Sequence, residues 1–398
     1  MMKKTELLAP AGDMETLKTA LRFGADAVYI GGPFMQLRAQ TSGFGIEEIV
    51  RAAEYTHSLS KKLYVTVNSF AKNSEIEPLK SYAKELYGAN VDGVIVSDIG
   101  ALSAVRKAAP DLPVHISTQA NCQNYASALV YYEMGARRVV TGREMTLSEI
   151  CEMKQKLPFD MEIECFVHGA MCMSYSGRCF LSPYLSHRSG NRGECTQPCR
   201  WSYHLTEMKR PGEFFQIEET KNGTNILSSR DMNCMDIIDS MIDAGVTSFK
   251  IEGRMKTPYY VATVVNAYRK RLDGFKDIEV LNRELNCVSH RPYCTGFYLG
   301  QLEKYRPDEQ VPYISECSFA GVVKDCENGV IRVEQRGKFS VGDKMEIVSP
   351  KFLSKGFEVT EIINSQGQSV DCAQETVTIP CPFELEEGDI LRVPKKDI

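Results

Sequence analysis

Residues 88–109 read GANVDGVIVSDIGALSAVRKAA. A glycine able to close a helix precedes a short apolar run, which ends in polar residues and gives way to the helix-like segment ALSAVRKAA. The same order recurs in GADAVYIGG (24–32), GARRVVTG (135–142) and GVTSFKIEG (245–253). Working outward, candidate strands are Glu6–Ala9, Ala25–Ile30, Leu63–Asn68, Gly93–Ser97, Val114–Thr118, Arg138–Thr141, Glu162–Val167 and Ser248–Ile251. Helix-like segments such as IEEIVRAAEYTH, LKSYAKELYG and ASALVYYEMG lie between most of them. Eight such units predict an α/β chain closed as a (β/α)8 TIM-like barrel. A doubly wound open sheet is the alternative, and the absence of a GxGxxG fingerprint speaks against it.

The alternation breaks once. Residues from about 170 to 230 are rich in Cys, Ser, Arg and Gly and far exceed an ordinary βα loop. Insertions of that length in a compact domain usually carry function, and in a barrel this one would lie over the C-terminal face. From about residue 316 the texture changes to short alternating runs with turn signals at Glu327-Asn328-Gly329 and Val341-Gly342-Asp343. These predict a small C-terminal β-barrel. The domain plan is therefore 1–272 for the barrel with its insertion, 273–315 for an irregular linker and 316–398 for the β module.

The 398 residues are 43% hydrophobic and 25% charged, enough for a large core. With 47 basic against 52 acidic residues, any nucleic acid must find a local basic face. Neither a signal peptide nor an apolar run long enough for a membrane span is evident, so a cytoplasmic, membrane-free protein is expected.

Cys172, Cys179, Cys195, Cys199 and Cys234 fall in or beside the insertion. In a reducing compartment such clusters suggest thiolate ligation of a metal rather than disulfides. The spacings lack the CxxC knuckle of structural zinc, and both zinc and an iron–sulfur cluster remain open. Buried unliganded cysteine is the plainer reading and suits Cys122, Cys151 and Cys165.

ELLAPAGD (6–13), ECFVHGAMCMSYSGRC (164–179), SGNRGECTQPCR (189–200) and FKIEGRMKTPYYVA (249–262) resemble the collagenase-like peptidase family U32. Within it, the resemblance is to the group of tRNA hydroxylation proteins. It covers most of the chain. It implies an oxygen-independent hydroxylase with a four-iron four-sulfur cluster, forming 5-hydroxyuridine at the tRNA wobble position with prephenate as hydroxyl donor. Carried over residue by residue, the cluster ligands would be Cys172, Cys179, Cys195 and Cys234, with Cys199 as a spare. A second family member is a candidate partner chain. The family name equally implies peptidase activity, the alternative reading.

A peptidase needs an activated nucleophile or a metal-bound water. The chain has six histidines and neither HExxH nor GxSxG. His168 is the candidate catalytic histidine, or else a polar residue that orients the loop after its strand. Arg188, Arg192, Arg200, Lys209 and Arg210, and again Lys250, Arg254, Lys256, Arg269, Lys270 and Arg271, supply basic runs. Tyr184, Trp201, Tyr203, Tyr259 and Tyr260 interleave with them, as RNA binding would require. Other strand ends add Asp13, Asn68, Asp98, Gln119, Asn121, Arg143 and Glu144. Strand alternation puts Lys250, Glu252 and Arg254 on one side, with Gly253 allowing a close turn. Lys250 and Glu252 are candidate catalytic groups, and Arg143, Arg178 and Arg254 would suit a dicarboxylate such as prephenate. The competing reading of that trio is a salt-bridge layer closing the barrel.

Overall fold

The computed structural model describes residues 5–37, 43–172, 174–200, 230–300, 313–353 and 355–395, with the backbone of 219–220 and 223–224. Eight parallel strands run β1 (Glu6–Pro10), β2 (Ala27–Gly31), β3 (Lys62–Val67), β4 (Gly93–Val96), β5 (Val114–Ile116), β6 (Ala136–Val140), β7 (Glu162–Ala170) and β8 (Ser248–Ile251). Each pairs with the next, and β8 pairs with both β1 and β7. The sheet is therefore a closed eight-stranded parallel barrel, as the strand pattern predicts.

Strands buried on both faces read as nearly continuous apolar runs, and β2, AVYIG, is buried throughout. Leu8, Ala27, Tyr29, Tyr64 and Ile95 fill the inside. Leu7, Val28, Leu63, Val65 and Val94 are also fully buried. Burying each such side chain contributes about 1.5–3 kcal/mol.

Helices follow the strands, among them α2 (Ile46–Ser58), α5 (Tyr125–Glu133), α6 (Leu147–Lys156), α7 (Leu181–Ser186) and α8 (Ile238–Asp243), and several begin where the chain supplies caps. Asp13 accepts from the Thr16 N–H at 2.7 Å to start α1 (Met14–Arg22), and Asp98 accepts from Ala101 at 2.8 Å to start α4 (Ile99–Ala108). Thus two of the strand-end carboxylates singled out in the sequence are helix caps. Gly24, Gly135 and Gly245 adopt the positive φ expected after a helix. Gly88 does not: it stays inside α3 (Ile76–Gly88), and Asn90 takes the left-handed turn instead.

Strand β7 is longer than its apolar run suggests. Past Val167 it pairs antiparallel with a three-residue strand, Asp231–Asn233, which in turn pairs with Tyr293–Cys294. Neither short strand carries a periodic signal. A buried ion pair holds this corner: Arg291 Nε and Nη2 reach Asp231 Oδ1 at 3.0 and 2.6 Å.

A second compact unit contains 18–25, 256–290 and the chain from 313 onward. It holds α9 (Pro258–Leu272) and α10 (Ile278–Asn286), the latter lying within the segment expected to be irregular. Its sheet has six antiparallel strands: β9 (Cys317–Glu327), β10 (Val330–Gln335), β11 (Lys344–Val348), β12 (Lys355–Glu358), β13 (Val377–Pro380) and β14 (Ile390–Pro394). The order is β12-β11-β14-β9-β10-β13. Asn328 and Gly329 both take positive φ in the β9–β10 turn, as an Asn-Gly hairpin requires. The sheet curls around Val323, Ile331, Val333, Phe339, Met345 and Leu391.

Candidate active site at the barrel mouth

The lower interior of the barrel is a charged layer. Arg138 reaches Glu6 at 2.6 Å, Glu162 at 2.6 Å and Glu164 at 2.9 Å, while Lys250 Nζ reaches Glu164 at 2.8 Å. Burial alone would raise the Glu164 carboxyl, but Lys250 and Arg138 outweigh it and hold the group below the usual range. Burial lowers Lys250, against the pull of Glu164. Its ammonium also lies over the Tyr29 ring at 4.4 Å. Lys250 therefore belongs to the salt-bridge layer.

Glu252 and Arg254 lie further along, where β8 opens into its loop. The Glu252 N–H donates to the His168 carbonyl at 2.9 Å, and the Glu252 carboxylate sits 3.9 Å from Arg143. Arg143 stacks its guanidinium over Phe166 at 3.8 Å and donates to the Ala170 carbonyl at 2.6 Å, while its buried Nε has no partner among the described residues. Arg254 is buried and donates to Gln36 at 3.1 Å and Thr66 at 3.0 Å. The buried His168 ring packs against Tyr293 at 5.4 Å. Arg178 is exposed, apart from this group in character.

The insertion is fastened to the loops at this end of the barrel. Glu144 Oε1 accepts from the Ser176 N–H at 2.7 Å, and Asn121 donates to the Ser176 carbonyl at 3.2 Å. Gly177 has φ +72, and a Cβ there would collide with the Gln119 carbonyl oxygen, so only glycine fits. Further along, Arg192 forks onto Glu75 at 2.6 and 3.1 Å. These contacts explain Glu144, Asn121 and Gln119 as seats for the cysteine loop.

Cys179 and Cys195 both lie close enough to Cys172 to influence it. Desolvation raises the Cys172 thiol, the other two thiols add to this, and Arg143 opposes it. The Gln197 N–H donates to Cys195 Sγ at 3.4 Å, the kind of contact that steadies a ligating thiolate. Cys234 is wholly buried at the end of Asp231–Asn233. Burial pushes it well up, with Cys294 and Cys165 as its thiol neighbours. Cys294, which the sequence reading passed over, touches Met171 Sδ at 4.0 Å and so lies between Cys234 and the Cys172 loop. Cys199 is half-buried in the turn Pro198–Arg200.

Tetrahedral zinc would need thiols about 3.8 Å apart, from its ligand distance. Among the described residues, no three of these loop cysteines bring donors within 4.8 Å of one another; only Cys287, Cys317 and Glu346 do. Cys172, Cys179 and Cys195, the last accepting the Gln197 N–H, offer an all-thiol donor set of the kind that iron–sulfur ligation uses.

The surface anticipated for RNA is only partly present. Lys250, Arg254, Tyr259 and Tyr260 are buried and leave it. Arg269 pairs with Asp273, and Lys270 donates to the Pro350 carbonyl. Trp201, Tyr203, Lys209 and Arg210 lie outside the described residues. The insertion itself exposes Tyr175 (61%), Phe180 (70%) and Tyr184 (71%), beside exposed Arg178 and Arg188. Tyr175 and Phe180 were missed because aromatics inside a Cys-rich run read as packing.

The model of peptidase family U32 matches residues 12–307, and that of the family's C-terminal domain matches 315–392. The chain belongs to peptidase family U32. Within U32, tRNA hydroxylation protein P1 of Bacillus subtilis is 39% identical, the match covering 97% of this chain and 93% of that one. The tRNA hydroxylation protein P of Escherichia coli is 34% identical, covering 97% and 95%. A Collagenase of Porphyromonas gingivalis is 32% identical, covering 97% of each. Among the described residues, no helix is long and apolar enough to cross a membrane.

Proposed function

We propose that this U32 chain is a cytoplasmic tRNA hydroxylase, adding a hydroxyl at C5 of the wobble uridine without molecular oxygen. The seating of the cysteine-bearing insertion on Glu144, Asn121 and Gln119, beside Arg143 and the strand ends, carries the reading. Two relatives named for tRNA hydroxylation align along nearly the whole chain. A four-iron four-sulfur cluster would be held by Cys172, Cys179, Cys195 and Cys234. When bound it would supply electron transfer or Lewis acidity beyond the reach of side chains.

The chain's own residues bind and orient. Arg143, its planar cation backed by Phe166 and its Nε without a partner among the described residues, is the best-placed anchor for a carboxylate of prephenate, the proposed hydroxyl donor. Arg254, held by Gln36 and Thr66, offers a second fixed cation, and exposed Arg178 meets the larger substrate. Glu252 flanks Arg143 at 3.9 Å and supplies a proton-handling carboxylate there, while His168, its backbone carbonyl accepting from Glu252 and its ring against Tyr293, is the second candidate. Tyr175, Phe180 and Tyr184 give unstacked anticodon bases flat surfaces, with Arg178 and Arg188 for the phosphates.

The relative named Collagenase supports peptidase activity as the second reading. A strain lacking the gene decides between them. Loss of 5-hydroxyuridine-derived nucleosides from tRNA, restored by the wild-type gene but not by Cys172→Ala, is expected. Unchanged tRNA nucleosides, with gelatin cleavage by the purified protein, would replace the hydroxylase reading with the peptidase one.

A further inference from the structure

The second compact unit holds a pair of cysteines that the proposed hydroxylation does not use. Cys287 closes α10, and Cys317 opens β9. Both are buried, and Cys317 Sγ lies 2.9 Å from Cys287 Sγ, closer than unbonded sulfurs usually approach. Their backbones are fixed as well. Ser315 Oγ lies 3.2 Å from the Cys287 carbonyl and 2.7 Å from that of Cys317, and the Tyr259 hydroxyl donates to the Cys287 carbonyl at 2.9 Å. The Glu316 N–H donates to the Asn286 carbonyl at 3.0 Å.

Glu346 is the third potential donor near these thiols, which raises the question of a metal. Its two oxygens are already occupied. Arg283 takes Oε1 at 2.5 Å, and Arg392 takes Oε2 at 2.9 Å. Arg392 is itself wholly buried and also pairs with Glu284 at 2.9 Å. A divalent cation would have to displace two guanidinium groups and then sit against their charge. A sulfur–sulfur bond adds no charge and needs no further ligand.

We propose that Cys287 and Cys317 are a redox pair, converted by a peroxide into a disulfide that staples α10 to the first strand of the C-terminal sheet. The Cys317 thiolate attacks one peroxide oxygen and breaks the O–O bond, giving a sulfenic acid and one water. Cys287 sulfur then attacks Cys317 sulfur and expels the second water. Two thiols and one hydrogen peroxide thus become one disulfide and two waters, with two electrons passing from sulfur to oxygen. The bridge closes a 30-residue separation, which stabilises the native state chiefly by restricting the unfolded chain.

The test uses the full-length protein purified without oxygen and titrated with hydrogen peroxide. Acid quenching, alkylation and peptide mass mapping then follow each thiol. One linked peptide pair joining Cys287 to Cys317, lighter by two hydrogens and reversed by dithiothreitol, is expected, together with a rise of several degrees in unfolding temperature. Cys317→Ser should lose both the link and the rise. Two freely alkylated cysteines, at peroxide levels that oxidise Cys151, would overturn the proposal. So would one zinc per chain lost in Cys317→Ser. Neither readout depends on iron or tRNA, so the result stands apart from the hydroxylase assignment.

Discussion

The Glu144 carboxylate accepts the backbone N–H of Ser176 at 2.7 Å, and so a residue after one barrel strand holds the middle of the loop between Cys172 and Cys179. The second carboxylate oxygen, Oε2, is buried without a partner among the described residues, so the group is retained at a cost in desolvation. Replacing Glu144 with Ala should leave the Ser176 N–H unsatisfied at a stability cost of about 1–3 kcal/mol. If the insertion holds the proposed cluster, iron per chain should fall in anaerobically purified protein, and the proposed wobble hydroxylation with it. Wild-type iron content in Glu144→Ala would disconnect the seat from the cluster.

Lys250 and Arg138 share one buried anion, Glu164, and this predicts an asymmetry. Removing Glu164 strands the buried Lys250 ammonium, although Arg138 keeps Glu6 and Glu162, so Glu164→Gln should cost about 3–5 kcal/mol. Lys250→Met leaves Glu164 still paired with Arg138 and should cost less. Urea unfolding of both variants measures the order, and equal losses would refute a shared anion. If Lys250 also handles a proton in the reaction, Lys250→Met will abolish hydroxylation despite its milder effect on stability.

His115 makes stability depend on pH. Its ring is buried against Tyr64 at 4.7 Å, and burial, followed by repulsion from Arg138, Lys250 and Lys62, lowers its affinity for a proton well below the ordinary 6.5. The unfolded chain therefore binds a proton below pH 6.5 that the folded chain refuses. Above that pH the group is neutral in both states and contributes no slope. Below it, stability falls by up to about 1.4 kcal/mol per pH unit. Glu164, with its carboxyl held low, loses its contribution only at more acid pH, below its ordinary 4.5. His115→Phe should flatten the decline between pH 6.5 and about 5. An unchanged slope in that variant would assign the effect elsewhere.

The barrel was legible because its signal is periodic and local. Each of the eight strands is an apolar run beside an amphipathic helix, and strand boundaries shift by only a few residues. What escaped the sequence depends on contacts between distant segments. Asp231–Asn233 and Tyr293–Cys294 are too short to show a period and are set by Asp231–Arg291. The shared strand side expected for Lys250, Glu252 and Arg254 fails because β8 ends at Ile251: Lys250 stands on the strand in the charged layer around Glu164, and Glu252 and Arg254 follow in the loop at the mouth. Charge runs gave no measure of burial, so Arg254 and Tyr260 were counted toward a surface they do not reach.

Arg254 supplies a test of the proposed donor site. Its guanidinium is fixed by Gln36 and Thr66, so Arg254→Met removes a positioned charge together with two hydrogen bonds. Hydroxylation should fall by at least about 100-fold, the loss of a charge-assisted contact worth about 3 kcal/mol. Iron content should hold. Normal turnover in this variant would remove Arg254 from donor binding.

Tyr175, Phe180 and Tyr184 expose most of their surface on the insertion, although burying rings of that size would favour folding. Three exposed aromatics beside Arg178 and Arg188 combine flat surfaces with positive charge, the pairing that single-stranded RNA recognition uses. Alanine at all three positions should weaken binding of an anticodon stem-loop by about 1–3 kcal/mol for each base stacked in the wild type. Because the rings are exposed, the unfolding temperature and iron content should change little. Arg178→Gln with Arg188→Gln should instead weaken binding of every RNA sequence alike and reduce its dependence on salt. Fluorescence anisotropy at two salt concentrations separates these effects. Unaltered affinity in the triple variant would show that RNA engages another face, and Trp201 and Tyr203 would then be the next aromatics to replace.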